Sequence, residues 1–381
     1  MFKPRILLVT SKWSSEDYDG GMSTALDICD TISPYSHLDV LAPSAYIAQR
    51  REGVENVIGY DIPEGLKKNY NGSGKFETRV RVAQIITPIL LPLLKSYDKI
   101  IFVHIFHIFD LCDCITSELS DKIILFPMML TPSYIASSES VPQFYTEKER
   151  NSLFKIGKII TPSCYEKEQI TKFYNIPASK VVIIPRYVSD TFTNNIHSVS
   201  HPKECVICYV ASIKKQKQNR LALELLNVLC NQGIDAKLNM VGPIHDQDVY
   251  IDLMDYISKN NLENKFNHYG TISKAEIDSL YSKATFGISV SLCETFGRSV
   301  MEGLTSGLPM LVMNEIACLK TSSSSTAGFI HVNTIEEMAS SIIMLMNNPD
   351  YYKELSLAAA NFGTEFRRKN IQPILAKAIL Q

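Results

Sequence analysis

The feature that most constrains this chain is an alternation, made twice, between short runs that are apolar throughout and polar-apolar stretches of helix length. A run such as RILLVTS (5–11), with no polar residue every second position, suits a strand buried on both faces, as in a parallel sheet covered by helices. LDVLAP, KIIFVHIF, KIILFP, GKIITPS and KVVIIP repeat the theme through the first half, most of them separated by enough residues for a crossover helix. The pattern restarts at VICYVAS and continues through KLNMVG, FNHYG, FGISVS and PMLVMN, with NRLALELLNVLCNQG and AEIDSLYSKA reading as helices between them. Between the two halves lies the polar, unpatterned SDTFTNNIHSVSHPKE. At 381 residues the chain is long enough for two domains of ordinary size. The expected fold is therefore α/β, with two Rossmann-like domains facing across a cleft. The expected bounds are 1–188 for the first domain, 189–204 for a linker and 205–363 for the second, with a helix at about 364–381 packing back on the first.

Charge excludes one class of partner. Lys plus Arg number 38 and Asp plus Glu 40, a net charge of −2, so the molecule lacks the basic field expected of a nucleic-acid binder. Nine cysteines, scattered and odd in number, and a start (MFKPRILLVTSKW) without a signal-like apolar run point to a reducing, cytoplasmic setting. IITPILLPLL (85–94) is the longest greasy run, but spanning a bilayer takes about 20 apolar residues, and two prolines interrupt it. It reads first as a partly buried helix. Following the basic KFETRVRV, it also suits peripheral contact with an anionic membrane, on the inner face of the plasma membrane.

ETFGRSVME (294–302) sets two glutamates around a glycine. The preceding strand ends near Ser291 and a helix begins near Gly297, so Glu294 belongs to the strand-to-helix loop and Glu302 to the helix. A helix start offers unbonded N–H groups and a partial positive charge, which suits a diphosphate, and Gly297 lets backbone approach it. A carboxylate can accept hydrogen bonds from both hydroxyls of a vicinal diol, as on ribose or a hexose. The bland alternative makes Glu294 a helix-start charge and Glu302 a solvent residue.

These residues carry a resemblance. YSKATFGISVSLCETFGRSVMEGLTSGLPMLVMN resembles the donor-site signature of the retaining GT-B glycosyltransferases of the family-four, or group 1, type: E, seven residues, E, then a G-x-P strand start. CYVASIKKQKQNRLALELL, LNMVGPIHD, NHYGTISKAEIDSLYSKA and TAGFIHVNTIEEMASSI resemble other parts of that family's second domain, and KIITPSCYEKEQITKFYNIPASKVVIIP its last first-domain unit. Residues from about 40 to 150 do not share the likeness.

The resemblance implies a GT-B enzyme that transfers a sugar, typically a hexosyl group, from a nucleotide-diphosphate sugar (UDP or GDP) to a glycan, glycoprotein or lipid-linked acceptor in surface polysaccharide or glycoconjugate assembly. It implies retention of configuration, no metal and no cofactor beyond the donor. Carried over by position, Glu294 meets donor-sugar hydroxyls, Lys217 offsets charge on the leaving diphosphate, and Glu302 holds the ribose. Phe296 and Gly297 supply backbone contacts, Gly270, Thr271 and Ile272 line the base, and Gly20 and Gly21 form the glycine loop of the first domain. His104 is the candidate first-domain histidine near the transferred sugar, with His107 as fallback and a core role as the alternative for either.

Departures are visible. Ala211 and Ser212 stand where the family has Gly-Arg, and Arg298 is the candidate replacement cation. Arg186-Tyr187-Val188-Ser189 replaces the usual Asn-Gly-Val-Asp before the linker. These departures motivate a second reading, a non-catalytic GT-B subunit of a partner transferase; a third is a sugar-nucleotide epimerase. Asp17-Tyr18-Asp19 and Asp246-Gln247-Asp248 match the metal-binding D-x-D of a different transferase fold, but matches this short are common by chance. Cys205 and Cys208, without a second pair, do not make a zinc site, and Cys112 and Cys114 would need distant partners.

Overall fold

A computed structural model describes residues 3–13, 20–47, 51–67, 74–197, 204–313, 319 and 327–381. The chain forms two compact units: Met1–Arg186 with Gln372–Gln381, and Tyr187–Ile371.

The first unit holds seven strands: β1 (Arg5–Val9), β2 (His37–Pro43), β3 (Asn56–Tyr60), β4 (Lys99–Val103), β5 (Ile123–Phe126), β6 (Lys158–Thr161) and β7 (Val181–Ile183). They pair in parallel in the order β3-β2-β1-β4-β5-β6-β7. The second unit holds β8 (Glu204–Val210), β9 (Asp235–Val241), β10 (Phe266–His268), β11 (Phe286–Ser289), β12 (Met310–Met313) and β13 (Phe329–Val332). Their order is β10-β9-β8-β11-β12-β13, again all parallel. Each sheet reverses its strand order once, between β1 and β4 and between β8 and β11. Such a reversal splays the following loops apart and opens a crevice at the carboxyl ends of the strands. This is the architecture of two Rossmann-like units.

The central strands are apolar because both faces are covered: β1, β4 and β5 have no exposed residue after their first positions. Helix Asn219–Asn231 buries Ala222, Leu223, Leu225, Leu226 and Leu229, the spacing of one helical face, against the core that includes Ile207 and Leu238. Helix Lys75–Leu93 contains Pro88 and Pro92 and sinks Val82, Ala83, Ile86 and Leu90 into the first unit's core. No helix among the described residues is long and apolar enough to cross a membrane.

Four segments differ from the sequence reading. β3 and β13 end their sheets and are half exposed, so they show no continuous apolar run. KIIFVHIF is strand only to Val103; a short 3-10 helix, Ile105–Ile108, follows. The 189–204 stretch is not a free connector over its described part. Phe192 is fully buried, Asn195 N donates to Ser306 O (3.2 Å) and His197 N to Ser356 Oγ (2.7 Å), so these residues are built into the second unit. At the far end, Gln372 Nε2 donates to Asp30 O (2.9 Å) and Lys158 Nζ to Ala378 O (2.8 Å), fastening the last turns of helix Arg368–Leu380 to the first unit.

Candidate active site

In the second unit the strand reversal lies between β8 and β11, and the loops leaving those two strands are stitched together. Leu292 N donates to Gln216 O (2.9 Å) and Gln216 Nε2 to Cys293 O (3.3 Å). One residue further along each loop, Lys217 Nζ pairs with Glu294 Oε1. The two side chains are only 17% and 18% exposed, so the pair is little screened by water. Asn219, buried at the start of its helix, holds the Lys217 loop in shape: Nδ2 donates to Ser212 O (3.4 Å) and Oδ1 accepts from Lys214 N (3.2 Å). Tyr209 adds a third tie by donating its hydroxyl to Lys217 O.

Helix Arg298–Thr305 begins immediately after Gly297, whose φ of 75° and ψ of 54° are costly for a residue with a side chain. Phe296 turns its ring into the core beside Phe366 (6.2 Å between centroids), and Arg298 is half-buried at the helix start. Glu302 is 5% exposed, which removes the reading of it as a solvent residue. Its charge is felt by Tyr281, whose phenol is raised well above its ordinary value, first by burial and then by Cys208 and Glu302.

A third loop completes the carboxyl edge. Gly242, after β9, has φ 145°, and a β-carbon there would lie 2.3 Å from Ala211 O. Its N–H donates to Gly270 O (2.8 Å), while Ile213 N donates to Pro243 O (2.9 Å), so the segments following β8, β9 and β10 meet. Gly270 has φ 61°, Thr271 is exposed and Ile272 half-buried. Sequence reasoning missed Gly242 and Asn219; a glycine ending the strand LNMVG was the available signal for the first, and only the fold reveals the second.

The metal-like motifs dissolve or fall outside. Asp246 is the N-cap of helix Gln247–Lys259, accepting from Val249 N (3.3 Å). Asp17-Tyr18-Asp19 lies outside the described residues. Cys205 and Cys208 are buried in β8, both thiols pushed up to about 12, chiefly by burial. Among the described residues no cluster of His, Cys, Asp and Glu is suited to a metal ion.

The first unit contributes His104, at the carboxyl end of β4 beside that sheet's own reversal. Its φ of 84° is rare outside glycine, a form of strain that concentrates at functional positions. The backbone N–H donates to Phe126 O (3.0 Å), fixing the residue in place. Nδ1 lies 2.8 Å from Val103 O and 3.3 Å from Ser11 Oγ. A carbonyl oxygen only accepts, so Nδ1 carries the proton and the neutral ring presents Nε2 as an acceptor. Burial, with the charges of Arg79 and Arg186, lowers its pKa to about 3. His107 is fully buried, with neither ring nitrogen hydrogen-bonded among the described residues, and is a core residue. Gly20 and Gly21 open helix Gly20–Ile32, with Gly20 exposed and its carbonyl accepting from Thr24 Oγ1 (2.6 Å). Of the three residues expected to act in catalysis, Lys217 and Glu294 meet in the second unit, and His104 belongs to the first.

Two buried acids of the first unit escaped sequence reasoning. Glu149 Oε2 accepts from Thr131 N (3.1 Å) and from the Tyr174 hydroxyl, and burial lifts its pKa to about 7. Glu166, 1% exposed, has neither carboxyl oxygen hydrogen-bonded among the described residues, and burial lifts it to about 8.

Residues 190–362 match the family described as Glycosyl transferases group 1. No curated protein sequence matches the chain. Similar solved structures include sucrose-phosphate synthase from Thermosynechococcus elongatus (14% identity, 100% of this chain and 99% of that one, TM-score 0.81). Anabaena HepE in complex with UDP and glucose is another (15% identity, 99% of each chain, TM-score 0.75). A third is WaaG, a glycosyltransferase involved in lipopolysaccharide biosynthesis (12% identity, 98% and 99% covered, TM-score 0.76). At such identities the structural likenesses speak to fold. The chain has the GT-B fold of glycosyltransferases, and its residues 190–362 match the glycosyl transferases group 1 family.

Proposed function

We propose that the protein is a glycosyltransferase that moves a sugar from a nucleoside diphosphate sugar to a glycan, glycoprotein or lipid-linked acceptor, with retention of configuration and with neither metal ion nor cofactor. The observation that carries this reading is the Lys217–Glu294 pair at the strand reversal of the second unit, inside the segment that matches the family. Transfer demands stabilising a departing diphosphate and a sugar with oxocarbenium character together. An ammonium held next to a carboxylate answers both needs: Lys217 faces the diphosphate, and Glu294 accepts hydrogen bonds from sugar hydroxyls. The helix start after Gly297 adds unbonded N–H groups for phosphate oxygens, with Arg298 as a further cation. Glu302 accepts from the ribose diol. The leaving phosphate can itself take the acceptor's proton, so no protein base is assigned. UDP is the first nucleotide to try, because HepE, similar in fold, was crystallised with UDP and with UDP-glucose.

The test is the melting-temperature shift of wild type and Glu302→Ala with UDP, GDP, ADP and CMP, since a ligand of the folded state raises apparent stability. One nucleotide should raise the wild-type midpoint and raise the variant's less. No shift with any of the four overturns the donor reading in favour of a non-catalytic subunit. Turnover of a nucleotide sugar without any acceptor would instead identify an epimerase.

A further inference from the structure

Arg79 lies on helix Lys75–Leu93, in the part of the chain that shares no family likeness, and its surroundings are unusual for a largely enclosed guanidinium. Nη1 donates to the hydroxyls of Tyr134 and Tyr145, the latter at 3.5 Å. The guanidinium carbon stands 5.6 Å from the ring centre of Phe106 and 5.7 Å from that of Tyr134. Nε is buried and has no hydrogen-bond partner among the described residues. Every one of these neighbours is neutral, and Arg79 makes no ion pair with a described residue.

The acids nearby do not supply the missing charge. Glu149 is within reach of the field of Arg79, but its Oε2 is committed to Thr131 N and the Tyr174 hydroxyl, and burial keeps the acid protonated up to about pH 7. Glu139 is taken by Lys75, the residue one turn earlier on the same helix. Enclosing an arginine without a counter-charge is costly, and the cost falls when an anion docks on the planar fork.

Position gives the anion its meaning. The charge of Arg79 reaches His104, and so does that of Arg186, whose Nη2 lies 3.2 Å from Met128 Sδ. His104 and Ser11 mark the carboxyl end of β4 and β1, where the first sheet reverses its order. The Arg79 guanidinium stands over the ring of Phe106, and that ring lies 5.4 Å from the ring of His104, so Arg79 sits one aromatic ring away from a neutral histidine that offers an acceptor nitrogen.

We propose that Arg79 forms an oxyanion subsite in the first unit for a phosphate ester or a uronate carboxylate carried by the acceptor. Calling the ligand an acceptor rests on the glycosyl-transfer reading; the subsite itself does not. The aromatic collar of Phe106, Tyr134 and Tyr145 holds the fork rigid, so little side-chain freedom is lost when the anion docks.

The chain's one tryptophan, Trp13, is buried in the first unit two residues beyond Ser11, so its fluorescence reports on this unit alone. Full-length wild type, Arg79→Gln, Arg79→Lys and Arg81→Gln should be titrated with glucose 6-phosphate, glucuronate and neutral glucose while Trp13 emission is followed. UDP binding is measured in parallel by calorimetry. The expected result is saturable perturbation by one or both anionic probes at concentrations where glucose has no effect. Which anion binds more tightly identifies the source of the charge. Affinity should fall about tenfold or more in Arg79→Gln, as for loss of a charge-assisted pair, and stay within a few-fold in Arg79→Lys. It should be unchanged in Arg81→Gln, which alters an exposed cation of the same helix. Equal binding of glucose and the anions, or equal losses in Arg79→Gln and Arg81→Gln, overturns the proposal. Should Arg79→Gln not fold, wild type against Arg79→Lys with glucose as control still decides: no anion preference in either refutes the subsite. Intact UDP binding alongside such a failure leaves the donor reading standing, and absent UDP binding alongside anion capture does the reverse.

Discussion

Replacing Glu166 by glutamine should flatten the pH dependence of the first unit's stability. The acid lies on helix Cys164–Glu168, 1% exposed, with neither carboxyl oxygen hydrogen-bonded among the described residues. Burial raises its pKa from 4.5 to about 8, partly opposed by the charge of Arg186. A group whose pKa is higher in the folded than in the unfolded state contributes its full stability below the unfolded value, here 4.5, and loses it as pH rises through the folded value. Each unit of difference corresponds to about 1.4 kcal/mol. Between about pH 5 and about pH 8, wild type should therefore lose about 3 kcal/mol through this residue, with part of the full three-unit slope already spent at either end. In Glu166→Gln that loss disappears. The buried amide carries its own penalty of about 1–3 kcal/mol, but that penalty does not vary with pH and so cannot mimic the effect. Glu149, raised to about 7, contributes a slope of its own over a lower range and is common to both proteins. Urea unfolding followed by Trp13 emission at several pH values isolates the first unit, which matters because a two-unit chain need not unfold in one step. If the wild-type and variant stabilities run parallel from about pH 5 to about pH 8, Glu166 is ionised in the folded protein and the reasoning from burial fails.

Three further outcomes are expected. A double-mutant cycle with Lys217→Met and Glu294→Gln should return a coupling of about 1–3 kcal/mol in urea unfolding followed by circular dichroism, as for a poorly screened pair; a coupling near zero would mean that the two groups do not hold each other. Gly242→Ala should cost about 3 kcal/mol or more, since both its backbone angle and the Ala211 carbonyl oppose a side chain, and calorimetric UDP affinity should drop with it; a melting curve identical to wild type would contradict the close approach. Asn219→Ala should destabilise by about 1–2 kcal/mol and speed amide exchange in the loop before it, with protection of that loop unchanged as the contrary result.

The central strands of both sheets could be read from the sequence because they are buried on two faces and carry apolar runs. β3 and β13 could not, because exposed Asn56 and Gly59 in the one and exposed His331 in the other interrupt the run. The Glu294, Gly297 and Glu302 cluster was legible because its residues are local: one loop and the first turns of one helix. His104 was visible only as a histidine ending an apolar run; the Phe126 carbonyl that fixes its reversed backbone and the Ser11 hydroxyl beside its ring come from elements distant in sequence. The same holds for Asn219, Glu149, Glu166 and Arg79. Each is an ordinary polar residue on an amphipathic helix until the fold shows what it lacks or whom it binds.

The return of the last ten residues to the first unit makes the second unit an insertion. The chain leaves the first unit after Arg186 and rejoins it at Gln372, and Val188 N donates to Phe366 O (2.8 Å), so the inserted piece enters and exits through neighbouring backbone. A module with adjacent ends can be exchanged between hosts without stretching either partner, because the gap it must bridge is about one strand spacing. Deleting the final helix, by contrast, is no trimming of a tail: it takes away part of the host itself, together with the bonds at Asp30 and Lys158 that close it. The second unit could then be swapped between Tyr187 and Ile371 while the first unit keeps its own closing segment, which gives this architecture a natural unit of recombination.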